Sequence, residues 1–149
     1  MKLVIQRVTE AQVSVGDETL SRIGAGMMVL VGIHADDTEA DVEAMSRKTA
    51  ALRIFDDAEG VMNLSVTQTG GEILAVSQFT LLAQTRRGNR PSYIEAARPE
   101  KAEPLYELYC RRLGELTGQS VGRGRFGADM KVSLVNDGPV TIIMDTRAE

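Results

Sequence analysis

The stretch Gly26-Met27-Met28-Val29-Leu30-Val31-Gly32-Ile33 contains no polar side chain. A strand with one wet face alternates in polarity. This one does not, so it reads as a central strand covered on both faces. Upstream, Leu3 to Val15 places the β-formers Leu3, Ile5, Val8, Val13 and Val15 in one strand, with an irregularity expected near Thr9 to Ala11. Gly16-Asp17 marks a turn, and Leu20 to Ile23 returns as a second strand. Downstream, Thr38 to Leu52 reads as a helix. Thr38 with Asp41 three residues on has the form of a capping box, and Val42, Met45, Thr49 and Leu52 share one stripe. Asp56 to Gly60 is a surface turn, Gly70-Gly71 another, and Glu72 to Leu82 a further strand. Gln84 to Arg98 is polar and rich in arginine. Loops of this length are uncommon in compact domains unless they serve a function. Pro99 to Thr117 is a second helix with Leu105, Leu108, Tyr109, Leu113 and Leu116 as its buried stripe, stopped by Gly118. Strands are expected near Ser120–Arg123, Asp129–Val135 and Val140–Asp145, with Asn136-Asp137-Gly138-Pro139 interrupting the last two. This order predicts an α+β protein: a single-domain sandwich, residues 1–149, of mostly antiparallel β-sheets with two helices.

The 149 residues, 43% hydrophobic and 26% charged, suit one soluble domain. Cys110 is the single cysteine, so no internal disulfide forms, which suits a reducing compartment. The opening residues turn polar after three apolar positions and do not form a signal peptide. The longest apolar run, Met27 to Val31, is too short to cross a bilayer. The expectation is a cytoplasmic protein without a membrane partner. Net charge is −4, yet residues 86–125 hold nine Lys/Arg against five Glu. A basic segment in an acidic chain fits local contact with phosphates, and a solvated face with chance clustering fits equally.

The residue inventory excludes several chemistries. One histidine, His34, and one cysteine cannot supply an ordinary zinc or iron site, so no metal is expected. No Gly-rich phosphate loop precedes a Lys-Ser or Lys-Thr pair. Gly122-Arg123-Gly124-Arg125-Phe126-Gly127 resembles a dinucleotide fingerprint only superficially, since no helix follows, and no cofactor is expected. A serine triad would need His34, and nothing near it suggests an orienting acid. His34 reads as a strand-end residue and Cys110 as helix packing. Hydroxyls and main chain remain. Ser77-Gln78-Phe79-Thr80 ends the apolar run Ile73 to Val76, and amides that stop pairing at a strand end can face a ligand. The same residues also suit ordinary β-structure. Gly138-Pro139, flanked by apolar strands, is either a hairpin turn or a cis-proline held for function.

Taken together, these stretches resemble one family. Ser77-Gln78-Phe79-Thr80-Leu81 is similar to the first signature of the D-aminoacyl-tRNA deacylases, and Asn136-Asp137-Gly138-Pro139-Val140-Thr141 to their second. Met1 to Val8, Val31-Gly32-Ile33, Lys48-Thr49, Leu52 to Phe55, Gly88 to Ser92 and Gly124 to Met130 agree as well. The resemblance implies a homodimer with active sites at the subunit interface. It acts on tRNA carrying a D-amino acid, or glycine mischarged on tRNA(Ala). Ser77, Gln78, Phe79 and Thr80 would form the catalytic segment, with Phe79 and Thr80 N–H groups as oxyanion donors and Gln78 orienting ribose or water. Gly138 and Pro139, reaching in from the partner, would reject L-residues. Met130, Phe126 and Ala128 would complete the substrate pocket, with Ser77, Phe79 and Met130 at its adenosine end. Arg86, Arg87 and Arg90 would touch the acceptor stem. Water and Thr80 both qualify as nucleophile, and water assisted by the RNA 2′-hydroxyl is preferred. The alternatives are an editing module of the same fold and a non-catalytic tRNA-binding or other nucleic-acid-binding dimer.

Overall fold

A computed structural model describes residues 1–148. Strand β1 (Lys2–Val15) is its hub: it buries Leu3 and Ile5 against one apolar cluster and, past its irregularities, Val8, Ala11 and Val13 against another. On one flank it pairs antiparallel with β8 (Lys131–Asp145) from Lys2 to Ser14. On the other it pairs with β3 (Gly26–Gly32) through its first half and β2 (Glu18–Ile23) through its second. Strand β3 then carries β6 (Glu72–Ser77) in parallel, and β6 carries β7 (Gly122–Arg123) in parallel. Parallel neighbours need long crossovers, supplied here by α1 (Glu39–Ala51) and α3 (Pro99–Thr117). Both helices cover one face, over a core that includes Met27, Val29, Val42, Tyr106 and Leu113. A second apolar cluster with Val8, Val13, Met28 and Leu74 fills the opposite face. There the sheet curls until β7 meets β2: a methyl group at Gly122 would run into Ser21 Oγ.

The α+β class, the largely antiparallel pairing and the buried β3 agree with the sequence reading. Irregularities in β1 fall between Gln6 and Val8, between Val8 and Glu10, and at Val13/Ser14. Several details differ. The main sheet is one curled six-stranded sheet, with a separate hairpin of β4 (Phe55–Asp56) and β5 (Met62–Leu64) around the expected turn. A short third helix, α2 (Val66–Thr69), precedes Gly70, whose φ of 71° caps it. Its Ser65 cap and Gln68 make a capping box too brief for apolar periodicity to reveal. The strand expected from Glu72 to Leu82 stops at Ser77, and Phe79–Leu82 forms a 3-10 turn. The strands expected as Asp129–Val135 and Val140–Asp145 are one strand, β8. Asn136 to Val140 forms no hairpin turn, since Asn136 faces Val8 and Thr141 faces Gln6 on the same neighbour; the intervening residues bulge outward. Leu116 is 43% exposed, while Tyr106 and Cys110 are buried in its place on α3.

Two phenols fasten α3. Tyr106 OH donates to Ala75 O at 2.6 Å, and Tyr109 OH lies 2.8 Å from Thr49 Oγ1, which donates to Met45 O. Burial pushes the Cys110 thiol from 9.0 up to about 11 and moves both phenols the same way. The folded chain therefore holds protons that the unfolded chain releases. The stability these groups contribute is complete below about pH 9 and is lost as pH rises from there towards about 11. Urea denaturation should show a loss on the order of 2 kcal/mol between about pH 8 and pH 10.5. Equal midpoints at the two pH values would contradict this.

Candidate active site

The central apolar strand β6 delivers its last residue, Ser77, to a half-buried position beside Val31 of β3. Gln78 N extends the pairing by one step, donating to Val31 O at 2.8 Å. The chain then tightens into the 3-10 turn. The first amides of such a turn have no carbonyl within it to donate to. Leu81 N donates to Gln78 O at 3.3 Å, and among the described residues the Phe79 and Thr80 amides are left as the free pair. Gln78 Nε2 donates to Thr80 Oγ1 at 3.0 Å, so a donor and not a base faces the hydroxyl. His34 is held elsewhere. It is buried at the end of β3, its Nδ1 accepts from Asp36 N at 3.0 Å, and Nε2 faces Glu95 at 3.6 Å.

This turn forms one wall of a cavity of about 710 Å³. Ser77, Gln78, Phe79 and Thr80 line it, as do Phe126, Ala128 and Met130 from the segment before β8. That segment is shaped locally. Gly127 has φ 79°, Ala128 N donates to Arg125 O at 3.1 Å, and Arg125 N donates to Met130 Sδ at 3.4 Å. Gly124 leaves room for the Met130 sulfur, which a methyl group there would strike. Among the lining residues only Asp129 and Tyr93 ionise, and the Asp129 side chain is 92% exposed beside Lys131. The cavity therefore offers main-chain N–H, the hydroxyls of Ser77, Thr80 and Tyr93, and the Gln78 amide against an apolar wall. It holds no acid–base couple.

Arg86, Arg87 and Arg90 are exposed on a loop closed by mutual Gln84–Ser92 backbone bonds at 2.8 and 2.9 Å. Among the described residues none of the three forms an ion pair, whereas Arg112, Arg123 and Arg125 of the same basic segment are bound to Glu43, Glu107 and Glu18. Gly138 and Pro139 lie apart from the cavity walls of their own chain. They do not line that cavity, and along β8 they come after Val132, the last residue of that strand that does. The Gly138–Pro139 bond is cis, and both residues are exposed. Within the bulge, Asn136 Oδ1 accepts from Val140 N at 3.1 Å. From outside, Arg7 Nε donates to Asp137 O at 3.1 Å, and Nη1 donates to Ile54 O at 2.9 Å and Asp56 Oδ1 at 3.2 Å.

The family model described as D-Tyr-tRNA(Tyr) deacylase matches residues 4–145. The chain belongs to the D-Tyr-tRNA(Tyr) deacylase family. Curated relatives called D-aminoacyl-tRNA deacylase include one from Porphyromonas gingivalis, 60% identical over 98% of this chain and 97% of its own. Another, from Akkermansia muciniphila, is 57% identical over 99% and 98%. A solved structure of a protein called c-Myc DNA Unwinding Element Binding Protein is 43% identical, with TM-score 0.92 over 98% of this chain and 99% of that one. A structure described as a probable eukaryotic D-amino acid tRNA deacylase shares the fold at TM-score 0.84 and 17% identity, over 96% of this chain and 97% of that one.

In this deacylase, reasoning from sequence did not single out three residues near the expected site. Arg7 holds the Gly138–Pro139 bulge, but its partners lie 47 to 130 residues away along the chain. Tyr93 lines the cavity and meets Phe79 edge to face at 5.2 Å. Gly32 lets the 3-10 turn sit close above β3: a methyl group there would lie 3.0 Å from Leu81 Cβ and 3.2 Å from Gln78 O. An arginine inside an apolar strand pattern was the one available signal, and only for Arg7.

Proposed function

We propose that this deacylase hydrolyses the ester joining a D-aminoacyl group, or glycine on tRNA(Ala), to the 3′-terminal ribose of tRNA. The observation that carries the reading is the pair of free amides, Phe79 and Thr80, opening on a cavity without an acid–base couple. Two adjacent N–H groups stabilise the oxyanion formed when water attacks an ester carbonyl, and one such donor contributes about 3 kcal/mol. Water adds to the carbonyl carbon, its proton passes to the departing ribose oxygen, and the C–O bond breaks. The ribose 2′-hydroxyl assists that transfer, because the cavity supplies no histidine or paired carboxylate. Gln78 orients the ribose, and Ser77, Phe126, Ala128 and Met130 surround the substrate.

Chirality enters through a second copy of the chain. In the proposed homodimer, Gly138 and Pro139 of the partner meet the substrate α-carbon and present main chain to it. A D-residue or glycine fits with its amino group towards carbonyl oxygens, and an L-side chain is driven into backbone. Exclusion by main chain discriminates handedness without reading side-chain identity. Arg86, Arg87 and Arg90 bind acceptor-stem phosphates, contacts that carry no sequence information and suit action on many tRNAs in the cytoplasm.

Purified protein mixed with matched D- and L-tyrosyl-tRNA should release tyrosine from the D-form alone. Release from both, or from neither, would overturn the reading. Thr80→Ala should keep at least about a tenth of the wild-type rate, since a side-chain hydroxyl that only supports Gln78 contributes about 1 kcal/mol. A folded but inactive variant would restore Thr80 as nucleophile. A second reading, nucleic-acid binding without catalysis, is favoured by the unpaired arginine loop and by the DNA-binding name of the 43% identical protein. It predicts retention of labelled tRNA with its ester intact.

A further inference from the structure

The aromatic residues at the cavity mouth extend the site beyond the reacting ester. Phe79 is 58% exposed and Tyr93 39% exposed, with ring centroids 5.2 Å apart and planes at 76°. Exposed aromatic pairs of this kind offer flat apolar area to unpaired bases, whose π-faces stack whatever their identity. Their order along the surface matters. The Phe79 and Thr80 amides belong to the 3-10 turn at the cavity wall. The Phe79 ring is borne by the same turn, Tyr93 packs against that ring while also lining the cavity, and Tyr93 directly succeeds Ser92 in the chain, the residue that closes the arginine loop. A single-stranded 3′ end threads the same order of groups: ester, terminal base, preceding base, backbone phosphates. We propose that Tyr93 is a stacking platform for the cytidine that precedes the terminal adenosine of tRNA. Arg86, Arg87 and Arg90 then take phosphates immediately upstream. This rests on the deacylase function proposed for the same cavity, and it adds a nucleotide contact outside the reacting residue.

The consequence is a gain in efficiency from the added nucleotide that depends on its base. The test compares 3′-D-tyrosyl-adenosine, its extension by one 5′ cytidine, and the same dinucleotide with an abasic residue in place of cytidine. For the wild type, cytidine should raise kcat/KM about tenfold, through KM, and the abasic residue should not. Tyr93→Ala should erase that gain and Tyr93→Phe should retain it. A wild type that treats the cytidine and abasic dinucleotides alike overturns the proposal without recourse to any variant. A gain that survives Tyr93→Ala overturns it too. A uniform fall on all three substrates in Tyr93→Ala, with the cytidine gain intact, would assign Tyr93 to support of Phe79 instead. No release from any of the three would sink the deacylase function itself, a result distinct from equal release.

Discussion

Replacing Arg7 with alanine is expected to reduce the preference for D- over L-tyrosyl-tRNA by roughly 10- to 100-fold, because hydrogen bonds to a charged group contribute about 1.5–3 kcal/mol each. The Arg7 side chain is 11% exposed, and its guanidinium ties the bulge to the β4–β5 hairpin through Asp137 O, Ile54 O and Asp56. On the proposed reading, Gly138 and Pro139 discriminate by refusing to move. A loop freed of its tether yields to an L-side chain at lower cost. The rate on the D-substrate should fall less than the ratio, since the oxyanion amides belong to another element. Single-turnover rates on both substrates give the ratio directly. Gly138→Ala should have a similar effect by another route. Its φ of 138° disfavours any side chain, and a Cβ would stand 2.9 Å from Val140 N. If both variants kept full chiral preference, the bulge would have no part in selection.

Gly32→Ala is expected to lower the deacylation rate constant about 10- to 100-fold while the protein stays folded, as misplacement of catalytic groups by about 1 Å or less is sufficient for such losses. The added methyl would press on Leu82 Cδ2 at 2.6 Å, which can swing aside, and on Leu81 Cβ at 3.0 Å and Gln78 O at 3.2 Å, which belong to the turn itself. The turn must lift by a few tenths of an ångström, and the Phe79 and Thr80 amides lift with it. Circular dichroism and the thermal midpoint should report an intact fold with modest destabilisation. A variant of wild-type rate would separate the turn from catalysis. By contrast, Gly26 sits where a Cβ would collide with the Glu72 backbone, so substitution there threatens the β3–β6 pairing and reports on stability alone.

Local rules carried much of the fold. The unbroken apolarity of Gly26 to Ile33 marks β3 as central, and Thr38 with Asp41 opens α1 as expected: Thr38 N donates to Asp41 Oδ2 at 2.8 Å. Gly118, with φ 75°, ends α3 where the stripe ends. These signals are legible because each depends on neighbours within a few residues. Apolar continuity misled at Glu72 to Leu82, where Phe79, Leu81 and Leu82 suit a strand as well as a 3-10 turn. The turn begins where the β3–β6 register ends, at Val31 and Ser77. The pause at Asn136 to Pro139 was visible too, but a hairpin and a bulge share the same turn residues. Pairing of both flanks with β1 decides between them.

The sequence by itself determined the α+β class, the two long helices, the buried centre of the sheet and the two short segments on which the chemistry was expected to fall. The fold features follow from periodicity, capping and composition, which act over one turn of helix or a few strand residues, whereas the two segments stood out as functional through their resemblance to family signatures. Only the tertiary structure decided that Ser77 to Thr80 and Phe126 to Met130 share one cavity, that Arg7 grips a bulge distant in sequence, and that Tyr93 stands beside Phe79. Such meetings are set by how a sheet curls and where its strands end, and no pattern confined to neighbouring residues encodes them.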